Sequence, residues 1–277
     1  MLGTMNHMSG CNCQTTKGRI WTQSNITTVS FYSVFYGNGM WVAGGGSNNG
    51  LYYSTNGMTW TQSNITTVSF NSVFYGNGMW VASAGGSTSN GIYYSTNGTT
   101  WTQSNITTGY FDSVFYGNGM WVAGGGISNG IYYSTNGTTW TQSNITTGYF
   151  DSVFYGNGMW VAGNDNNHGL YYSTNGTTWT QSNIITGYFY SVFYGNGMWV
   201  AGGGSNNGLY YSTNGTTWTQ SNITTVSFDS VFCGNGMWVA GGGNGLYYST
   251  NGTTWTQSNI TTGYFRSVFY GNGMCVS

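Results

Sequence analysis

The chain has 277 residues, a net charge of −1 and 3% charged residues, against 18% aromatic residues. Low charge together with many aromatic residues excludes an intrinsically disordered chain, and the lack of a basic balance excludes an electrostatic surface for nucleic acid. No apolar run approaches the roughly 18 residues of a membrane span, so we expect neither nucleic-acid binding nor membrane insertion.

Beyond residues 1–10, which we expect to form an N-terminal extension, the chain repeats one unit. A Trp followed by Thr-Gln-Ser-Asn recurs every 37 to 41 residues, at positions 21, 60, 101, 140, 179, 218 and 255. A second marker, Gly-Asn-Gly-Met, also occurs as a series of seven, the last copies starting at 234 and 271. Repeats of this length are typical of arrays of one supersecondary structure.

Each unit contains four short β-strand patterns. In the unit that starts near residue 69, they cover residues 69–75, 79–83, 92–95 and 100–104. Turn residues separate them: a Gly-Asn-Gly turn follows the first strand, and Asn97-Gly98 predicts a type I′ turn before the fourth. Four antiparallel strands in about 40 residues are typical of one propeller blade.

The two ends of the sequence complement each other. The chain stops after two strands of a unit, and residues 11–21 align without gaps with residues 50–60, the third and fourth strands of another unit. The sequence therefore predicts an all-β fold: a seven-bladed β-propeller of four-stranded antiparallel blades, whose ring is closed by two N-terminal and two C-terminal strands of one blade. We expect a single domain over residues 1–277 and a monomer, because closure removes exposed sheet edges. Cys275 lies on the closing blade near Cys11 and Cys13, and a disulfide there is an open alternative.

Residues 95–101, Ser-Thr-Asn-Gly-Thr-Thr-Trp, and their copies resemble the Asp-box (BNR) repeat, closest to its shortened Ser-x-Asp-Gly-x-Thr-Trp form. The resemblance covers essentially the whole chain, with Asn where the family has Asp. It implies a propeller in which the motif joins the third and fourth strands of each blade. The family includes sialidases, other glycoside hydrolases, and binding or assembly proteins, so it specifies fold more than activity.

The residues offer little for catalysis. Glycoside hydrolysis needs paired carboxylates, or a Tyr activated by one, and the chain has only four acidic residues, all Asp. Asp165 and His168 share one loop and suggest a metal pair, but a metal site needs at least three convergent ligands. We therefore expect an exposed polar turn there, and no enzymatic activity, metal or cofactor.

One position varies inside the otherwise repeated pattern Phe-x-Ser-Val-Phe of the first strand. It is occupied by Tyr32, Asn71, Asp112, Asp151, Tyr190, Asp229 and Arg266. The position lies near the strand's start, towards the variable loop between the second and third strands. Four tyrosines precede it at the same end of the units, namely Tyr110, Tyr149, Tyr188 and Tyr264. We expect these eleven residues to form a polar binding ring at the mouth of the propeller channel.

Aromatic rings beside Asn, Ser and Thr suit sugar recognition, and repeated weak sites gain through multivalency. The function predicted from the sequence is therefore a non-catalytic, lectin-like propeller that binds carbohydrate through its loop face. The alternative is a structural or protein-interaction scaffold without a small-molecule ligand. The expected partners are accordingly glycans or a protein.

Overall fold

The computed structural model describes residues 23–85, 90–126, 128–271 and 274–276, and their regular structure consists of β-strands. The strands form six four-stranded antiparallel sheets, in each of which sequence neighbours pair. The described part thus contains six complete sheets, not the predicted seven. Residues 11–21, the predicted N-terminal half of the closing blade, lie outside the described residues, as do Cys11 and Cys13. No described helix has the length and apolar character needed to cross a membrane.

Three sheets belong to a compact unit of the described residues up to Phe150. Sheet I contains β1 (Phe31–Gly37), β2 (Met40–Gly45), β3 (Leu51–Ser54) and β4 (Thr61–Gln62); sheet II contains β5 (Ser69–Gly76), β6 (Met79–Gly85), β7 (Ile92–Ser95) and β8 (Thr102–Gln103); sheet III contains β9 (Phe111–Gly117), β10 (Met120–Gly125), β11 (Ile131–Ser134) and β12 (Thr141–Gln142).

The residues from Asp151 onward form a second compact unit. Sheet IV contains β13 (Phe150–Gly156), β14 (Met159–Asn164), β15 (Leu170–Ser173) and β16 (Thr180–Gln181); sheet V contains β17 (Phe189–Gly195), β18 (Met198–Gly203), β19 (Gly208–Ser212) and β20 (Thr219–Gln220); sheet VI contains β21 (Phe228–Gly234), β22 (Met237–Gly242), β23 (Gly245–Ser249) and β24 (Thr256–Gln257). A pair, β25 (Phe269–Gly271) and β26 (Met274–Val276), follows.

The second strand of a sheet is buried on both faces. Successive side chains of a strand point to opposite faces, and in sheet II the two faces pack against different neighbouring sheets. Trp80 and Ala82 of β6 pack with Val42 of sheet I in one core cluster. Val81, between them in sequence, belongs instead to a cluster with Trp121 of sheet III. The same alternation links sheets IV, V and VI in the second unit. Each sheet is therefore stacked face to face on its neighbours within a unit.

Aromatic rings also connect neighbouring first strands. The ring centroids of Phe35 and Phe74 are 4.3 Å apart, and those of Phe74 and Phe115 are 4.4 Å apart. In the second unit, Phe193 continues the pattern with Phe232 at 4.6 Å. Offset rings at these separations contribute dispersion and quadrupole attraction beyond the area they bury.

The linker after each fourth strand is anchored by an asparagine side chain. The Asn105 amide donates to the Trp140 carbonyl at 2.9 Å, and its Oδ1 accepts from the Trp140 backbone N–H at 2.7 Å. Asn64 makes the same pair of bonds with Trp101. Because the amide N–H and the Oδ1 of Asn105 both bond to the Trp140 backbone, the linker joins sheets II and III in one register.

The loop between the third and fourth strands differs from the predicted turn. A type I′ turn needs positive φ at both central residues, but in this loop only Gly98 has it, at 74°. The Ser95 hydroxyl accepts from the Gly98 N–H at 2.8 Å, and Asn97 Oδ1 accepts from the N–H groups of Thr99 and Thr100. Side-chain acceptors therefore build a six-residue loop, and the fourth strand shortens to Thr102–Gln103.

The type I′ geometry occurs instead in the first hairpin of each sheet. Asn77 and Gly78 have φ values of 50° and 75°, and Gly76 pairs directly with Met79 across a two-residue loop. The predicted turn after the first strand is thus confirmed, whereas the prediction of type I′ at Asn97-Gly98 is wrong.

Replacing Asn105 by Ala leaves the part-buried Trp140 N–H and carbonyl without these partners. An unsatisfied backbone group costs about 1–3 kcal/mol, so we expect the free energy of unfolding to fall by about that amount. Chemical denaturation of the full chain measures it. Asn166→Ala, at an exposed asparagine, is the control and should leave the midpoint unchanged; equal midpoints for the two variants would contradict the role given to Asn105.

Candidate functional site

The predicted variable position lies at a β-bulge in five of the six described sheets. In sheet II, Phe70 pairs with Ala84 and Ser72 with Ser83, which leaves Asn71 with no residue opposite. The same register shift occurs at the equivalent residues of sheets I, III, V and VI, namely Tyr32, Asp112, Tyr190 and Asp229. A bulge bends its strand and redirects a side chain. The pairing also places the position beside the end of the second strand, as predicted.

A glycine just after the second strand makes room for the bulge side chain. A Cβ added to Gly46 would overlap the ring of Tyr32, and one added to Gly204 would overlap the ring of Tyr190. At Gly243 the Tyr264 ring is the neighbour, at 3.5 Å. Sheets I and V therefore present their variable side chains next to the loop between their second and third strands.

In the first unit, four of the predicted residues form one polar group. The Asn71 amide donates to Asp112 Oδ1 at 2.7 Å, which joins the bulges of sheets II and III. The rings of Tyr110 and Tyr149 lie 5.9 Å apart. Burial raises the pKa of Tyr110, a hydrogen bond with Tyr149 lowers it, and the charge of Asp112 raises it. The predicted ring residues thus contact one another across neighbouring sheets.

In the second unit, Asp151 lies beside Asp165 and Tyr190. Burial raises the pKa of Asp165 from 3.8, and hydrogen bonds with Tyr190 and with Asp151 partly oppose the shift. Burial, followed by the charge of Asp165, raises the pKa of Tyr190 to about 12, and a hydrogen bond with Ser205 lowers it. Asp165 therefore forms a second polar group with Asp151 and Tyr190, although the sequence predicted an exposed turn and a possible pairing with His168.

The sequence does contain a signal for Asp165. Aligning the repeats places it at the position of Gly46, Gly204 and Gly243, glycines that face Tyr32, Tyr190 and Tyr264 respectively. His168, in contrast, is exposed, and its backbone carbonyl accepts from Gln181. Within the described ranges, no three His, Cys, Asp or Glu side chains are grouped as a metal site would require.

A depression of about 370 Å³ lies at the bulge ends of sheets V and VI. Its lining includes two tyrosines, one carboxylate, and hydroxyl and amide groups: Tyr190, Ser205, Ser227, Asp229, Asn244 and Tyr264. A hydrogen bond to Asp229 raises the pKa of the Tyr264 phenol, and burial adds to the shift. The Arg266 guanidinium lies 5.3 Å from the centre of the Tyr264 ring, in cation–π geometry.

Two of the predicted residues take no part in the side-chain contacts described above. Tyr32 is 37% exposed and lies against Gly46. Tyr188 is half-buried, and its backbone carbonyl accepts from the Gly204 N–H and from the Asn207 amide. Both lie at the loop end of their sheets, as expected.

Because burial raises the pKa of Asp165 in the folded chain, the native state binds this proton more tightly than the unfolded state does. This carboxyl therefore lowers stability as pH rises from 3.8 through the folded-state pKa, and the loss is complete above it. We expect Asp165→Asn to raise the melting temperature at pH 7 and to lose that advantage at about pH 3.

Thermal denaturation of Asp165→Asn and the unchanged chain over this pH range checks the prediction. Asn166→Ala, in the same loop, controls for a general effect on the loop. A benefit of Asp165→Asn that persists or grows at low pH would contradict the assignment.

The sequence matches no protein-family model and no curated protein. Solved structures do match. A catalytically inactive virginiamycin B lyase from Staphylococcus aureus, solved with quinupristin, has a TM-score of 0.72 and 12% identity, over 90% of this chain and 92% of that one. YCF48 from Cyanidioschyzon merolae has a TM-score of 0.64 and 15% identity, over 88% and 89%.

A structure of YCF48 bound to D1 peptide matches with a TM-score of 0.66 and 17% identity, over 91% of this chain and 90% of that chain. These matched structures are β-propellers. Together with the repeated four-stranded sheets, they support a β-propeller fold. At such low identity the likeness concerns the fold alone, and the matches include both an enzyme and a peptide-binding protein.

Proposed function

We propose that this chain is a non-catalytic binding module that takes a peptide or a protein surface against the loop ends of its sheets. One observation carries the proposal. Every Asp, Glu, Lys and Arg among the described residues lies at the variable position of the Phe-x-Ser-Val-Phe pattern or, for Asp165, beside such a residue: Asp112, Asp151, Asp165, Asp229 and Arg266. Charges that served only solubility would be dispersed over the surface. Their concentration at one end of the sheets is the arrangement of a recognition surface.

The surface has the composition of protein-recognition sites. Tyr110, Tyr149, Tyr190 and Tyr264 supply large rings with a polar tip, and tyrosine and arginine are enriched in protein interfaces. Asn71 and Asp112 are held by a mutual hydrogen bond, so they present a fixed polar pattern. YCF48, a protein with the same fold, binds a peptide. These points favour a peptide or protein partner over the carbohydrate that the sequence analysis put first.

The proposal of a non-catalytic role is supported by the composition. The sequence has no Glu, and four Asp and two His are all its carboxyl and imidazole side chains, the groups most often used as general acids and bases. Asp165 shares hydrogen bonds with both Tyr190 and Asp151, so these carboxyl groups are used in shaping the loop end of their sheets. We also propose that the loops of the 95–101 type are Asp-box loops, because Asn97 Oδ1 accepts two backbone N–H groups as a carboxylate would.

Selection from a library of displayed peptides on the full chain tests the proposed function. We expect peptides to be enriched, and Tyr264→Ala to weaken their binding by about tenfold or more, since an exposed tyrosine that a partner covers is a frequent hot spot. Tyr248→Ala is the matched control, because Tyr248 is 42% exposed on β23, away from the loop end. A glycan array on the same protein covers the alternative: sugar binding with no enriched peptide would overturn the proposal.

We further propose that residues 1–277 form one domain of seven blades, closed by residues 11–21 and the C-terminal strands. In sheet I, Val34 is 43% exposed, whereas the equivalent Val73 and Val114 are 3% exposed beneath the preceding sheet. Serines equivalent to Ser267 accept from a valine N–H of the following sheet, as Ser230 does from Val268 at 3.0 Å. Val34 and Ser267 are thus both exposed, whereas their equivalents contact a neighbouring sheet, and this difference supports the proposed closing blade.

Deleting residues 1–23 removes two strands of the proposed closing blade and leaves sheet edges unpaired. Unpaired edges recruit other chains, so we expect the truncated protein to form oligomers and to melt at a lower temperature. Light scattering and thermal denaturation measure both effects. A truncated protein that stays monomeric with unchanged melting would contradict the closure.

A further inference from the structure

The depression at the bulge ends of sheets V and VI has the features of a subsite for one side chain. Its volume of about 370 Å³ is at the lower end of the roughly 300–1,000 Å³ found for ligand pockets. Asp229 is the one charged residue in its lining, and Tyr190 and Tyr264 supply the aromatic rings. A carboxylate beside aromatic rings is a favourable environment for a cation, because ion pairing and the negative ring faces act together.

The surroundings of the depression add negative charge. Tyr190 interacts with both Asp165 and Asp151, so two further carboxylates lie behind this wall. Tyr264 shares a hydrogen bond with Asp229, which directs the carboxylate and the phenol towards each other. Fixed carboxylates of this kind attract cations and steer their approach.

Arg266 is a positive charge close to the depression. Its guanidinium already lies over the Tyr264 ring, while no ion pair joins it to Asp229 in the described part of the chain. Arg266 and an incoming cation therefore repel each other, whereas Asp229 attracts that cation. The two residues are expected to affect cation binding in opposite directions.

We propose that this depression is a subsite for one cationic side chain of the partner, a lysine ammonium or an arginine guanidinium, with Asp229 as the counter-ion between Tyr190 and Tyr264. The proposal rests on the peptide- or protein-binding function proposed above and specifies what that partner must carry. In this proposal, Asp229 attracts the cation and the two tyrosines form the walls of the subsite. Arg266 lowers the affinity because it repels the cation.

Saturation-transfer NMR on the full chain tests the subsite with small probes. The probes are N-acetyl-lysine methylamide and N-acetyl-arginine methylamide, with the norleucine and glutamate analogues as uncharged and anionic controls. We expect saturable binding of the two cationic probes at millimolar concentration, weakened by salt. Equal binding of the norleucine probe, or no binding of the cationic probes, overturns the proposal.

Two variants act in opposite directions. Asp229→Asn should weaken the cationic probes by about tenfold or more, as loss of one partner of a charge pair does, whereas Arg266→Gln should strengthen them. Combining Asp229→Asn with Thr254→Asp, at an exposed residue of the loop between β23 and β24, restores the net charge at the other end of sheet VI. If this double variant binds the cationic probes as well as the unchanged chain does, net charge alone explains the attraction. That result would overturn the proposed subsite.

The peptide library separates this inference from the function on which it rests. Enriched peptides that share a lysine or arginine and lose affinity in Asp229→Asn support both. Enriched peptides that bind Asp229→Asn equally well retain the proposed function and overturn the subsite. Cationic probes that bind through Asp229 while no peptide is enriched retain the cation site and overturn the peptide-binding function.

Discussion

Burial of both faces of the second strand is the constraint on which this molecule depends. Trp80 and Val81 point to opposite faces of sheet II and pack in separate clusters with sheets I and III. A strand buried on two sides has no position for a charged side chain, since burying an unpaired charge costs several kcal/mol. Close stacking also requires small residues: a Cβ on Gly44 would lie 2.9 Å from the Phe70 Cβ of the next sheet. The lack of charged residues in the described second strands, and the glycines at their ends, follow from this packing.

Polar side chains provide the directional links that apolar stacking lacks. Asn105 binds both backbone groups of Trp140, and the Ser72 hydroxyl accepts from the Val114 N–H in the next sheet. Apolar surfaces alone would tolerate sliding of one sheet over another, whereas these bonds are satisfied in one register only. The polar group at the loop ends continues this linkage, because Asn71 and Asp112 join the bulges of neighbouring sheets.

Much of the fold was predictable from the sequence, since the repeat is visible as a period and the strand patterns alternate with turn residues. The third strand, Ile92–Ser95, was placed at its observed bounds. The Asn97-Gly98 turn was not, because Ser95 and Asn97 accept backbone N–H groups and stabilise a longer loop. Of the candidate site, the bulge position and its tyrosines were found from variation between units. Asp165 was missed because it lies in the loop after β14, and only the folding of sheets IV and V brings it beside Asp151 and Tyr190.

The bulge has a consequence for how such a chain changes. Asn71 has no residue opposite it in the ladder, so a different side chain there disturbs neither the strand pairing nor the buried Trp and Val. The side chain at this position can therefore differ from unit to unit while the strand framework stays the same. Sequence variation in such a repeat protein is thus concentrated at one strand position per repeat.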